Sequence, residues 1–189
     1  MSESERLFWD ERYGTAGRLV TEPSLFVVDA AARHAPDPGR ALDVAGGTGR
    51  HALWLSGRGW LVTLIDVSRT GLEIAQADAM QVGADISTVL TDLDTDPLPR
   101  GPWNLMVVHH YLNRPLFPAL ISSMAAGGVL LFAQPTIENL TRHDRPGPAY
   151  SLQPGEARDL VSGLEVVSYF EDWTAEGRHE AQVVARRPE

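Results

Sequence analysis

Five short, nearly continuous apolar runs constrain the fold of this sequence more than any other feature. They cover residues 41–44, 61–65, 86–90, 105–108 and 129–133. Segments with helical features lie between several of them; Ser68, for example, can cap a helix that carries Leu72, Ala75 and Ala79 on one face. Nearly continuous apolar strands that alternate with helices predict a parallel sheet that helices cover on both faces.

The remaining sequence extends this pattern at both ends. It predicts helices at residues 4–14, 23–34, 116–126 and 154–163, and two closing strands at 164–170 and 181–185. The segment 135–152 is polar and rich in proline, which predicts a long surface loop. Long loops in compact domains often act as lids, so this segment is a candidate lid.

The charge balance and the lack of cysteine exclude several classes of function. The 189 residues include 25 acidic and 16 basic ones, and the net charge of -9 disfavours non-specific binding to nucleic-acid phosphates. Without cysteine there are no disulfides, thiolate metal ligands or thiol nucleophiles. The N-terminal segment lacks the apolar stretch of a signal peptide, and no apolar run is long enough to cross a bilayer. We therefore expect a cytoplasmic protein with no nucleic-acid or membrane partner, and we leave its oligomeric state open.

A glycine-rich turn follows the first apolar run, in the stretch "ALDVAGGTGRHALWL" at residues 41–55. Between a strand and a helix, such a turn brings bare backbone N–H groups and the positive end of the helix to one point. The dinucleotide-binding fingerprint fits in its looser form, with Gly47, Gly49 and Ala52 and an acid at Asp66. This match alone is weak.

A second template uses acids at the ends of three successive strands. Asp43 ends the first run, before the glycines, where it would disfavour a pyrophosphate and suit a ligand with a cationic end. Asp43 can also tie the glycine loop by hydrogen bonds. Asp66 ends the second run and can accept both hydroxyls of a ribose, and Asp92 follows the third and can accept from an adenine amine. These acids would line one crevice at the carboxyl edge of the sheet, which suits a nucleoside with a charged amino-acid tail.

The motifs around these acids resemble those of the class I S-adenosylmethionine-dependent methyltransferases. "LDVAGGTGR", "LIDVS" and "TDLDTDPLP" are similar to three family motifs in order and spacing, and "WNLMVVHHYLNRPL" and "AAGGVLLFAQPT" to the strands and helix that follow. "FWDERYG" and "YSLQPGEARDL" resemble small bacterial members related to tellurite-resistance and thiopurine methyltransferases. The resemblance implies a Rossmann-like three-layer α/β sandwich. Its seven-stranded sheet would be mostly parallel, with one antiparallel strand near the C-terminus.

The resemblance also divides the chain into functional parts. It implies a single methyltransferase domain over residues 1–189, with S-adenosylmethionine as its cofactor. The N-terminal helices and lid would occupy residues 1–35, the cofactor-binding core 40–134, and a loop, short helix and closing strands 135–189.

Carried over residue by residue, the resemblance implies two groups of site residues. The cofactor-binding candidates are Tyr13, Asp43, Ala45, Gly46, Gly47, Gly49, Asp66, Val67, Asp92, Leu93 and His109. The candidates for the substrate pocket are Trp9, His110, Tyr111, Asn113 and Arg114. No third ligand accompanies the two histidines at a suitable spacing, so no metal is expected. No catalytic acid or base can be assigned.

The glycine turn departs from the family pattern at two positions. Ala45 stands where the first glycine is usual, and Gly46 where cysteine or alanine is common. An alanine needs a negative φ, so we expect Ala45 still to belong to the strand.

The implied reaction is methyl transfer to a small-molecule acceptor. The Asn/Asp-Pro-Pro-aromatic motif of members that methylate nucleic-acid amines has no match in "HHYLNRP". Two alternatives remain, a nicotinamide-dependent oxidoreductase and a non-catalytic S-adenosylmethionine-binding module. Asp43 and the lack of a separate substrate domain disfavour the first.

Overall fold

The protein forms one seven-stranded sheet with the strand order β3-β2-β1-β4-β5-β7-β6. The structure is a computed structural model that describes residues 3–17 and 21–189. The strands are β1 (Arg40–Val44), β2 (Leu61–Asp66), β3 (Ile86–Leu90), β4 (Trp103–His109), β5 (Met124–Pro135), β6 (Glu165–Trp173) and β7 (His179–Arg186). The first five pair in parallel, whereas β7 runs antiparallel to both β5 and β6. This confirms the predicted sheet and its single antiparallel strand.

Helices cover both faces of the sheet. They are α1 (Glu3–Ala16), α2 (Leu25–His34), α3 (Arg50–Ser56), α4 (Arg69–Val82), α5 (Phe117–Ser123) and α6 (Glu156–Leu160). Short 3₁₀ turns lie at Arg114–Leu116, Ile137–Thr141 and Pro148–Tyr150. None of the described helices combines the length and the apolar character that a membrane crossing requires.

Alternation along the central strands produces two separate cores. Met106 belongs to the core that also holds residues of α5 and α6, and its neighbour Val107 belongs to the core with residues of α2, α3 and α4. Both residues are completely buried. Two-sided burial explains why these strands are mostly apolar, and it yields the three layers that the sequence predicted.

The helix predicted at 116–126 is shorter than expected. It ends at Ser123, and Met124 already pairs with Trp103 of β4 as the first residue of β5. The next pair joins Leu105 to Val129, so β5 carries extra residues between these two pairs. Residues 124–126, which helical periodicity assigned to the helix, therefore belong to β5.

The segment 135–152 is more ordered than a plain surface loop. Asn139 is fully buried, and its side chain donates to the backbone of Arg145 at 3.2 Å and accepts from the backbone N–H of His179 at 3.2 Å. An isolated bridge joins Thr136 to Leu152. These bonds satisfy the buried polar groups, which allows a polar sequence to pack against β7.

Gly49 is needed where the glycine turn meets α3. It has a φ of 78°, and a Cβ there would lie 3.0 Å from Cβ of Ala75 and 3.2 Å from Cδ2 of Leu64. The turn can therefore approach β2 and α4 only without a side chain at this position.

Replacing this glycine tests the argument. Gly49→Ala should lower the free energy of unfolding by at least about 1–2 kcal/mol, since an alanine is strained at positive φ and this one is also crowded. Gly147→Ala is the control, because its φ is -66° and nothing lies within 4 Å, and it should change stability by less than about 0.5 kcal/mol. Urea denaturation measures both, and equal effects would contradict the analysis.

Candidate functional site

A cavity of about 210 Å³ lies at the carboxyl edge of the sheet, beneath α1. Its walls come from the ends of β1, β2 and β4, the glycine turn, the start of α3 and one side of α1. The residues that line it are Trp9, Tyr13, Asp43, Ala45, Gly46, Thr48, Arg50, His51, Asp66, Val67, His109, His110 and Tyr111.

Most of the residues predicted from the sequence meet in this cavity. The cofactor candidates that line it are Tyr13, Asp43, Ala45, Gly46, Asp66, Val67 and His109, and the substrate candidates are Trp9, His110 and Tyr111. The residues that do not line it are Gly47, Gly49, Asp92, Leu93, Asn113 and Arg114. Sequence reasoning missed Thr48, Arg50 and His51, although their place within and just after the glycine turn was a usable signal.

Local bonds explain why several candidates lie outside the cavity. Arg114 forms a two-pronged ion pair with Glu156, with Nε 2.5 Å from Oε1 and Nη2 3.0 Å from Oε2. Asn113 donates to the side chain of Asp94 at 2.8 Å, and Asp92 accepts from the backbone of Asp94 at 3.0 Å. The side chains of the acidic turn after β3 therefore form hydrogen bonds within the turn and with Asn113, outside the cavity.

Asp66 ties together the two turns that border the cavity. Its carboxylate accepts from the backbone N–H of Gly47 at 2.8 Å and from that of Ser68 at 2.8 Å. Burial raises its pKa, and these backbone bonds act against the rise. A carboxylate has about four lone-pair sites, so Asp66 can accept further hydrogen bonds from a ligand.

Asp43 is 1% exposed at the end of β1 and holds the start of α3. Its Oδ2 accepts from the backbone N–H of Ala52 at 3.1 Å, which fulfils the loop-tying role considered from the sequence. Burial raises the pKa of Asp43 to about 7, and the nearby charge of Asp66 adds to the rise. The site therefore holds two buried acids that disfavour each other's negative charge.

The backbone of Ala45 differs from the expectation. Its φ is 51°, in the left-handed region, so it does not continue the strand as we expected. The turn bends at Ala45, the position at which the resemblance places the family's first glycine. His110, at the end of β4, is the other non-glycine residue with positive φ in the described ranges 3–17 and 21–189, at 58°.

Arg50 brings a positive charge to the cavity and defines the state of His109. Its Nη2 lies 3.2 Å from Nδ1 of His109. Since a guanidinium can only donate, this Nδ1 accepts and the ring is neutral. Burial lowers the pKa of His109 well below its usual value, and the neighbouring cations act in the same direction.

His51 is a second neutral imidazole in the same wall. Burial lowers its pKa to about 3, and Arg50 contributes to the fall. Its Nε2 accepts from the backbone N–H of Ser24 at 3.3 Å. In the part of the chain that the structure describes, no three His, Asp or Glu side chains are arranged to hold a metal ion.

The helix α1 closes the cavity from above. Asp10 accepts from the hydroxyl of Ser68 at 2.7 Å and from the backbone N–H of Thr70 at 3.1 Å, which fixes α1 to the start of α4. Trp9 stacks on Tyr13 with a centroid separation of 5.6 Å. The hydroxyl of Tyr13 lies so close to Gly47 that a Cβ at this position would collide with it. Tyr13 therefore covers the glycine turn.

The buried carboxyl group of Asp43 predicts a pH effect on stability. The folded chain keeps its proton up to about pH 7, whereas the unfolded chain releases it near its ordinary value of 3.8. The free energy of unfolding should therefore fall as pH rises through this window, and Asp43→Asn should remove that fall.

Urea denaturation of both proteins between about pH 4 and pH 7 measures the difference. Every other acid titrates in both proteins, so the subtraction isolates Asp43. The same pH dependence in the two proteins would show that Asp43 is not perturbed.

Comparisons with known proteins agree with this architecture. Residues 41–127 match a family model described as a methyltransferase domain. No curated protein sequence matches the chain. TehB from Haemophilus influenzae is similar in structure, with a TM-score of 0.75 and 20% identity over 95% of this chain and 67% of that one.

Two further solved structures are similar over nearly their whole length. A TehB-like S-adenosylmethionine-dependent methyltransferase from Corynebacterium glutamicum has a TM-score of 0.65 and 19% identity, over 98% of this chain and 97% of that one. A protein solved in a study of the conversion of a disulfide into a thioacetal during echinomycin biosynthesis has a TM-score of 0.78 and 19% identity, over 97% and 91%. Residues 41–127 therefore match a methyltransferase domain, and the whole chain shares the fold of solved S-adenosylmethionine-dependent methyltransferases.

Proposed function

We propose that this enzyme transfers a methyl group from S-adenosylmethionine to a small-molecule acceptor in the cavity beneath α1. The observation that carries the proposal is the meeting of two buried acids, Asp43 and Asp66, with the cation Arg50 in one small, covered space. Opposite charges in the lining of one cavity suit a zwitterionic ligand. The excess of acidic residues disfavours a nucleic-acid acceptor.

The nucleoside end of the donor fits the side of the cavity formed by β2. Two hydrogen bonds from backbone N–H groups hold the side chain of Asp66 in one rotamer. Its remaining lone pairs therefore have a fixed direction. A ribose diol can donate two hydrogen bonds to such a carboxylate. Val67 lies beside it and supplies an apolar wall. Asp92 and Leu93 stay proposed contacts for adenine, which would require this end of the ligand to reach beyond the cavity.

The amino-acid end fits the side formed by β1 and α3. Its ammonium group would lie against Asp43, where a positive charge compensates a buried carboxylate. Its carboxylate group would lie against Arg50, whose fork of donors matches a carboxylate. When bound, the donor supplies a methyl carbon activated by a positively charged sulfur. The chain contributes alignment and the exclusion of water.

Closure of the cavity is assigned to α1 and the segment 135–152. The hydroxyl of Tyr150 donates to Glu5 of α1 at 2.7 Å, so the two segments touch each other. Tyr13 lies directly over Gly47, in the place where a ligand would approach the turn. We propose that α1 withdraws to admit the donor and closes on it afterwards.

Ligand binding tests the proposed function. The protein should bind S-adenosylhomocysteine and ignore NAD, because Asp43 precedes the glycines. Asp66→Ala should weaken binding more than tenfold, since one charge-assisted hydrogen bond contributes about 1.5–3 kcal/mol. Asp85→Ala, at an exposed turn, is the control and should bind normally.

Titration calorimetry with both ligands gives the answer, and thermal unfolding checks that each variant is folded. Binding of NAD without binding of S-adenosylhomocysteine would overturn the proposal. Unchanged affinity in a folded Asp66→Ala variant would remove the role of Asp66 in binding the ribose.

The closing role of α1 is tested by hydrogen exchange. Amides in residues 4–13 should exchange more slowly when S-adenosylhomocysteine is saturating, because closure orders the helix. Asp10→Ala removes the bonds to the start of α4 and should reduce that protection. If these amides exchange at the same rate with and without the ligand, α1 is not a lid.

A further inference from the structure

We infer that His110 is the general base of this enzyme, held by Glu180, and that the methyl acceptor is a weakly acidic hydroxyl compound of the phenol or enol class. The inference rests on the proposed function, because it assigns the acceptor side of the same cavity. It is carried by a histidine–carboxylate pair at the cavity wall that the binding of the donor does not use.

The pair joins residues that are distant in sequence. Nε2 of His110 lies 2.6 Å from Oε1 of Glu180. His110 lines the cavity with a side chain that is 32% exposed, whereas the side chain of Glu180 is 3% exposed. One partner therefore reaches the ligand space and the other is buried behind it.

Glu180 is ionised and defines which nitrogen of His110 carries the proton. Burial acts to raise the pKa of Glu180, but the hydrogen bonds from His110 and Gln182 act against it, and the pKa lies below its usual value. The carboxylate accepts, so Nε2 must donate. Nδ1 is then the nitrogen with a free lone pair, which is the state that a general base requires.

The other two histidines of the cavity cannot serve in this way. His109 uses Nδ1 to accept from Arg50, and His51 uses Nε2 to accept from the backbone of Ser24. Burial lowers the pKa of both rings far from neutrality. The rings of His109 and His110 lie 4.0 Å apart, and of the three only His110 has a carboxylate within hydrogen-bonding distance.

The backbone holds His110 in place at some cost. Its φ is 58°, in the left-handed region that disfavours a residue with a side chain. Its backbone N–H donates to the carbonyl of Ala133 on β5 at 2.9 Å, which fixes this bend. Strain of this kind persists where the surrounding structure requires one orientation, often at functional sites.

The base selects the class of acceptor. A histidine base can take the proton of a phenol, of pKa about 10, as the new bond forms. A soft anion such as a selenide carries no proton to remove and needs no base. Trp9 and Tyr111 give the cavity flat aromatic walls, which suit a planar acceptor.

The step balances as a single displacement. An oxygen lone pair of the acceptor forms the bond to the methyl carbon, and the carbon–sulfur bond breaks with its electrons going to sulfur. The hydroxyl proton moves to Nδ1 of His110. The resulting imidazolium is stabilised by Glu180 and later releases the proton to water. The products are a methyl ether, S-adenosylhomocysteine and one proton.

The test compares phenols of graded acidity with S-adenosylmethionine as donor. His110→Gln should lower the rate with un-ionised phenols such as catechol by at least about 100-fold. It should affect 4-nitrophenol, which is largely ionised at about pH 8, by less than about fivefold, because no proton remains to be removed. His34→Gln, at the end of α2 and outside the cavity lining, is the control.

Glu180 is tested as a positioning residue. Glu180→Gln should lower kcat for catechol with little change in KM, and Glu180→Asp should restore part of the loss. In the ¹⁵N spectrum of the wild-type protein, the ring of His110 should show the proton on Nε2, and this preference should weaken in Glu180→Gln. A residue that only supports the fold would not move this signal.

Calorimetry with S-adenosylhomocysteine distinguishes a failure of the proposed function from a failure of the role assigned to His110. If the wild-type protein does not bind it, the proposed function fails. If it binds but no phenol is methylated, or His110→Gln slows catechol and 4-nitrophenol equally, the inference is wrong and the proposed function remains.

Discussion

The carboxylate of Asp66 is the interaction on which the rest of the site depends. It joins the end of β2 to the glycine turn through Gly47 and to the start of α4 through Ser68. Ser68 in turn caps α4 and donates to Asp10, which fixes α1 above the cavity. This one buried carboxylate thus positions the glycine turn, the start of α4 and, through Ser68 and Asp10, the helix α1 around the cavity. Because its negative charge is buried and only partly compensated by hydrogen bonds, Asp66 also favours a polar ligand that can donate to it.

The cavity combines charge with strain. Asp43 and Asp66 are both buried, and Arg50 is the cation that faces them within the described cavity lining. Ala45 and His110 hold backbone conformations that disfavour side chains. These features lower the free energy of unfolding, and they lie at one edge of the sheet. The burial of two apolar cores offsets their effect. Concentration of such costs at a single edge is the expected signature of a site for binding and catalysis.

The layers of the fold and the position of the two buried acids could be predicted from the sequence, because they depend on the order of the elements along the chain and on the direction of the strands. The parallel strands bring Asp43 and Asp66 to one edge, and alternation of apolar runs predicts the layers. What could not be predicted depends on contacts between distant residues. Arg114 pairs with Glu156, which lies 42 positions later, and His110 pairs with Glu180, 70 positions later. The bend at Ala45 was missed because alanine disfavours positive φ, so only the assembled turn reveals it.

The direction of β7 has a consequence for when the enzyme becomes complete. Because β7 is antiparallel, its first residues, rather than its last, lie at the edge where the parallel strands end, and Glu180 pairs there with Pro135 of β5. Glu180 reaches His110 only when β7 is seated between β5 and β6. During synthesis β7 emerges after the other six strands. A chain that has paired β1 to β5 still has an unsupported His110, so the pair with Glu180 forms only when β7 and β6 complete the sheet.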